Sequence, residues 1–337
     1  MAMPKMRRMA IPKIRRKSTK VSPEVKAGAE EELHLESVTW GELTWVNIEA
    51  PTKQETEYLA QNYPFHPLDL DDCLSRIQRP KIDKYEDYLF LVLHFPVFSP
   101  EARVTTPSQV SVFIGQNYLV TLHTGELKPL VKLFNQCQTD EELRQEHLSQ
   151  GSGYLLYRIL DRLVDYCLPI LNKIGGNIER TEDNIFSSRL MSRAIEDMSV
   201  LRRDVISFRR IIWPMRAVIG TLEPKIRRFA KMDMEVYFGD MTDHVDKIWD
   251  VLDEYKEIIE GLNDTHDSLA TNRTNEVVRM LTAIATILLP LTVIASIYGM
   301  NIPLPFQESP YSLVLVFFIW AVIVSGMLYL FRRQRWI

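Results

Sequence analysis

The chain has 337 residues, with 40 basic and 44 acidic side chains and a formal charge of −4. That near balance argues against a globally basic nucleic-acid binder, and the length allows one or two soluble domains plus membrane spans. Three scattered cysteines, Cys73, Cys137 and Cys167, lack CxxC spacing and point to a reducing compartment without a disulfide framework. The histidines are equally dispersed, and there is no HExxH pair, Walker A loop, Rossmann glycine pattern or GxSxG elbow. No motif supports an enzyme, and any transport is expected to run without ATP.

Residues 1–36 read as a basic, disordered tail. Lys5, Arg7, Arg8, Lys13, Arg15, Arg16, Lys17 and Lys20 carry its charge, with no acid before residue 20. No apolar core of signal-peptide length follows, and Pro4 and Pro12 interrupt an amphipathic transit helix. Such a tail suits an anionic lipid surface. Residues 37–150 are expected to form a cytoplasmic α/β domain. Leu43 to Ile48 alternates like a strand, and Thr52 with Glu55 forms a capping box that opens a helix to about Gln61. A second helix is expected over Pro67–Ser75. Tyr88–Phe98 and Val110–Leu122 are strand-rich, the latter split into a hairpin by Gly115-Gln-Asn117. The α/β layer is expected to end near residue 125.

Residues 151–242 read as a cytoplasmic helical region. Leu155, Ile159, Leu163, Tyr166 and Ile170 follow one buried helical face. A second helix runs from about Met191 to Trp213, closed by Pro214. Val245, Ile248, Leu252, Tyr255, Ile259 and Leu262 then step by three and four. This seam packs lengthwise, either on copies of itself or on the preceding helices. No proline or glycine pair separates the seam from the apolar run Met280–Tyr298, so one stalk helix is expected over residues 243–298, roughly 84 Å long.

Met280–Tyr298 has no charge and would span roughly 28 Å as a helix, and Tyr311–Phe331 roughly 31 Å. Both match the bilayer core of about 30 Å. A buried hairpin in a soluble core is the alternative, but such a core rarely hides two apolar runs of this length. Arg273 and Arg279 precede the first span, and Arg332, Arg333 and Arg335 follow the second, whereas the 299–310 loop carries only Glu308. The positive-inside rule places both termini in the cytoplasm, with 332–337 as a basic cytoplasmic tail and 299–310 outside. Tyr298, Tyr311 and Trp336 sit at span ends as interfacial rings, with Trp320 mid-span.

On a helical wheel, Asp264, Ser268, Thr271, Asn275, Val278, Thr282, Ala285, Leu289, Thr292 and Ser296 share about one third of the stalk circumference. Small and hydroxyl residues on one face serve either close helix packing or the lining of a water-filled conduit. Asp264 and Asn275 carry the stripe out of the membrane with polar groups, which favours the conduit. Thr286 and Val293 blur the stripe, and Pro290 is expected to bend the helix. Two spans cannot enclose a pore, so a conduit requires several copies.

Tyr298-Gly299-Met300-Asn301 between two terminal spans resembles the signature of the CorA divalent-cation channels. Thr274-Asn-Glu-Val277, Pro290-Leu-Thr292, Arg79-Pro-Lys81 and Trp213-Pro214 extend the resemblance from about Leu43 to the C-terminus. It implies an α+β membrane protein assembled as a funnel-shaped homopentamer in the cell (inner or plasma) membrane. In it, stalk helices form the inner ring of spans, and residues 311–331 form the outer ring. It implies passive uptake of Mg2+, with Co2+ and Ni2+ as further cargo. Asn301 is implied as the outer selectivity ring, with Gly299 and Met300 fixing the turn. Asn275, Leu281, Thr292 and Val278 are implied along the conduit, with Asp264 at its cytoplasmic mouth. A regulatory Mg2+ between subunits would fall on Asp72 and Asp240. Two departures stand out: Ile302–Pro310 lacks the family's Met-Pro-Glu-Leu stretch, and Val278 replaces a common thioether.

The chemistry of these residue types is coherent. Mg2+ releases water reluctantly, so neutral amide oxygens at Asn301 suit recognition of the hydrated ion, and carboxylates there would hinder release. A helix-capping role for Asn301 is the competing reading. A zinc-carrying relative and a membrane-tethered scaffold without transport are the alternative functions.

Overall fold

The computed structural model describes residues 33–75, 78–186, 191–300 and 311–334. Residues 1–32 of the expected basic tail, residues 301–310 of the loop including Asn301, Arg335 and Trp336 lie outside the described residues. All described elements belong to the unit that starts at His34.

Six strands form one mixed sheet in the order β1-β2-β6-β5-β4-β3: β1 Leu35–Trp40, β2 Leu43–Glu49, β3 Lys81–Lys84, β4 Leu89–Ser99, β5 Val104–Ile114 and β6 Tyr118–His123. Strand β1 starts inside the segment read as tail, with Leu35 opposite Ile48. β2 and β6 pair in parallel, and the β5–β6 hairpin turns where Gly115-Gln-Asn117 predicted. Val46 to Ile48 are buried on both faces rather than alternating, because helices cover both sides of the sheet. One face carries Phe65, Phe90 and Phe113, with Phe65 stacked on Phe113 at 4.0 Å between ring centroids.

Helix α1 (Lys53–Asn62) begins at the capping box: Gln54 N–H donates to the Thr52 hydroxyl, and Thr52 N–H to Glu55. Helix α2 spans Pro67–Leu74. The helical region starts earlier than the sequence suggested, with α3 Lys128–Thr139 and α4 Glu141–Leu148. The face from Leu155 to Ile170 is divided between α5 (Ser152–Asp165) and α6 (Cys167–Phe186). Pro169 explains the break, since it cannot donate to the Asp165 carbonyl one turn back.

Helix α7 runs Met191–Ile219, straight through Pro214. Burial of Ile211, Ile212, Met215, Val218 and Ile219 on both sides of the proline outweighs the single lost backbone bond. After the short α8 (Glu223–Ile226), α9 runs unbroken from Glu235 to Tyr298, roughly 96 Å. It begins before residue 243 because Phe238 and Met241 extend its buried seam. That seam packs within the chain: Val245, Ile248, Leu252, Ile259 and Leu262 join the core formed with α5, α6 and α7. Gly175 permits the close approach of α6, because a Cβ there would collide with the Tyr255 hydroxyl.

Helix α10 (Ser312–Arg333) packs alongside the end of α9. Both helices are long and apolar enough to cross a bilayer, and their most apolar windows are only 6% and 0% buried within the chain. This disposes of a hairpin hidden in a soluble core, whose residues would be occluded.

Candidate functional site

The membrane part of α9 presents two unlike faces. Ala283 is fully buried against α10, and Ile287, Pro290, Leu291, Ile294 and Tyr298 on the same side are partly covered. The predicted stripe lies about 150° away around the helix. Asp264, Ser268, Thr271, Asn275, Val278, Thr282, Ala285, Leu289, Thr292 and Ser296 are all exposed in the chain, as is Leu281 at the edge of the stripe. Within the chain, close small-residue packing is therefore at Ala283 and not on the stripe.

Three of the five hydroxyls of the stripe have fixed polarity. Thr282 donates to the Val278 carbonyl at 2.7 Å, Thr292 to Leu288 at 2.9 Å and Ser268 to Asp264 at 2.9 Å. With these three protons committed backwards, their oxygens offer lone pairs outwards. Such a row accepts hydrogen bonds from the water shell of a cation. Pro290 sits inside the helix and leaves the Thr286 carbonyl without its usual donor, which adds an acceptor. At the C-terminal end of α9, Gly299 N–H donates to the Ala295 carbonyl at 3.0 Å and Met300 N–H to that of Ile297 at 3.2 Å. A Cβ on Gly299 would stand 3.2 Å from the Ala295 carbonyl oxygen, so the turn is tight even though its φ of −85° is ordinary. Asn301 follows outside the described residues.

Asp72 and Asp240 stand on separate elements. Helix α2 starts at Pro67, with His66 Nδ1 accepting from Leu68 N–H at 3.2 Å. Asp69, buried, accepts from the Tyr85 and Tyr88 hydroxyls at 3.2 and 3.1 Å and locks the helix to the sheet. Burial holds the Asp69 carboxyl above its usual range. One turn on, Asp72 is half-buried and pairs with Lys81 at 2.7 Å; Lys81 also meets Asp83 at 2.5 Å. Burial pulls the Lys81 ammonium down, but Asp72 and Asp83 outweigh it and hold the group above its usual value.

Asp240 lies in the first turns of α9, exposed, with His244 Nε2 at 3.8 Å. It belongs to an acidic face that the sequence reading missed. Asp161 on α5 is held above the usual carboxylate range by burial and then by Asp165, with Asp240 adding to the shift. Beside them, Tyr157 is pushed up to about 12 by burial and by Asp161. The four-residue spacing of Asp161 and Asp165 was the available signal. Among the described residues of one chain, no group of three or more His, Cys, Asp or Glu side chains is placed to hold a metal ion.

Comparison with known proteins places the chain. The family model described as CorA-like Mg2+ transporter protein matches residues 40–333. The cobalt/magnesium transport protein CorA of Thermotoga maritima is 30% identical over 299 residues, covering 87% of this chain and 83% of that protein. The protein of the same name from Methanocaldococcus jannaschii is 26% identical over 296 residues, covering 88% and 92%. The solved complete structure of the CorA magnesium transporter from M. jannaschii superposes with a TM-score of 0.77 at 24% identity, over 89% of this chain and 94% of that one, which speaks to the fold. The chain is a member of the CorA-like Mg2+ transporter family.

Proposed function

We propose that the chain forms a passive, potential-driven channel for Mg2+, open also to Co2+ and Ni2+, in a cell membrane with both termini cytoplasmic. The observation that carries the reading is the stripe on α9: polar or small apart from Val278 and Leu289, exposed in the chain, and turned away from the covering helix α10. A single exposed stripe of this kind needs identical stripes from further copies, and a homopentamer is the proposed assembly. Asn301 forms the outer ring that recognises the hydrated ion, and Gly299 and Met300 hold its turn. Asn275, Val278, Leu281, Thr282, Ala285, Leu289, Thr292 and Ser296 line the conduit, and Asp264 stands at its inner mouth.

Asp72 of one copy and Asp240 of the next are proposed to share regulatory Mg2+. Bound ion would bridge like charges that otherwise repel, so rising internal Mg2+ would favour the closed ring. The acidic surroundings of Asp240, with Asp161 and Asp165, support that reading. The test is Asn301→Ala in reconstituted vesicles: Mg2+ uptake should be lost while the oligomer elutes unchanged. Near-normal uptake would instead assign Asn301 a capping role.

A further inference from the structure

Between the sheet edge and helices α7 and α9 lies an open cleft of about 1130 Å3, slightly above the usual size of small-molecule sites (roughly 300–1,000 Å3). Its lining is cationic and aromatic. Arg79, Arg209, Arg210 and Arg216 line it, and no carboxylate does. Arg209 and Arg216 are engaged from outside the cleft, by Asp253 and Asp246. Arg79 and Arg210 are exposed and meet no carboxylate among the described residues.

Two indoles complete the wall. Trp213 and Trp249 stand 5.0 Å apart between ring centroids, tilted by 48°, and the Arg209 guanidinium lies 4.6 Å over the Trp249 ring. Trp213 remains 60% exposed although it sits on a helix whose neighbouring apolar residues are buried. The exposed indole and the two guanidinium groups without a carboxylate, sharing one cleft, offer an aromatic face for stacking and planar donor forks for phosphate oxygens.

We propose that this cleft binds an organic polyphosphate carrying an aromatic base, of the nucleoside di- or triphosphate class. Arg79 and Arg210 take the phosphates, and the base stacks on Trp213. Because nucleoside polyphosphates chelate Mg2+, such a site would couple the protein to the bound as well as the free pool of the ion.

The experiment is titration calorimetry on the full-length protein without added divalent ion, using ADP, pyrophosphate and adenosine as separate probes. Saturable ADP binding is expected, tighter than either fragment. Arg79→Gln/Arg210→Gln should weaken ADP and pyrophosphate by about tenfold or more, as loss of two charge-assisted contacts implies. Arg79→Lys/Arg210→Lys should recover part of that loss. Trp213→Ala should weaken ADP and leave pyrophosphate unchanged. Absence of ADP binding, or binding indifferent to the arginine pair, overturns the proposal. So does footprinting that finds Trp213 already covered by a neighbouring copy in the ligand-free protein. Binding is read without flux, so failure here is separable from failure of the transport reading.

Discussion

Two alanines on α9 distinguish the face that packs from the face proposed to line water. Ala283 is fully buried against α10, and Ala285, two residues on and about 200° around the helix, is exposed. With cysteine at either position, a small membrane-impermeant cationic thiol reagent should discriminate between them. Reaching position 283 requires α10 to part from α9. In lipid that contact is held by close packing, and opening a fully occluded site costs about 2 kcal/mol, or about a 30-fold slower reaction. The native background is low: Cys73, Cys137 and Cys167 are all buried, and burial pushes the Cys73 thiol up to about 12 and Cys137 to about 11. Labelling of Ala285→Cys should block flux within the time that leaves Ala283→Cys untouched. Leucine gives the converse contrast, because overpacking at 283 should cost about 1–3 kcal/mol of α9–α10 stability and at 285 almost none. Equal labelling rates, or full modification at 285 with flux unchanged, would refute the assignment of faces.

Asp72→Asn/Asp240→Asn should weaken protection of the cytoplasmic region by Mg2+ in limited proteolysis and reduce inhibition of flux by internal Mg2+; unchanged protection and inhibition place the sensor elsewhere, with Asp264 next in line. Asp204 accepts the Thr105 N–H at 2.5 Å and ties α7 to β5, so Asp204→Ala should cost about 1–3 kcal/mol in thermal or denaturant unfolding. Burial raises the Asp204 carboxyl above its usual 3.8, so the folded state holds that proton to higher pH than the unfolded chain does. The ionised form therefore costs stability that appears as pH rises through the window above 3.8, and Asp204→Asn, which keeps the acceptor, should flatten that dependence and match or exceed the parent at pH 7. A steeper pH dependence in the asparagine variant would contradict this sign.

Local signals survived folding where they had a local mechanism. The Thr52–Glu55 cap, the Gly115 turn and the two apolar spans each state their own hydrogen bonds or solvent, and the chain realises them. The readings that failed were decided by packing or by a local signal passed over. Pro214 reads as a stop, yet its helix continues because both flanks are buried. The Leu155–Ile170 face reads as one helix, yet Pro169 divides it. Helix α3 was legible and passed over, since Leu130, Leu133, Phe134 and Cys137 repeat at helical spacing, whereas α4 has only Leu143 and Leu148 as apolar residues and packs on α3, α5 and β1. The stripe on α9 was legible because helical periodicity is geometric, whereas the approach of Asp161 to Asp240 was not, because only the fold brings α5 to the start of α9.

Flux under an imposed voltage tests the central claim most directly. A divalent ion entering a compartment at −100 mV gains about 4.6 kcal/mol, enough for an accumulation of roughly three orders of magnitude at equilibrium. In proteoliposomes without ATP or a proton gradient, Mg2+ entry should rise with inside-negative potential and fall as Co2+ or Ni2+ competes. No voltage-dependent entry, or entry only when a proton gradient is supplied, would contradict a passive cation conduit along α9.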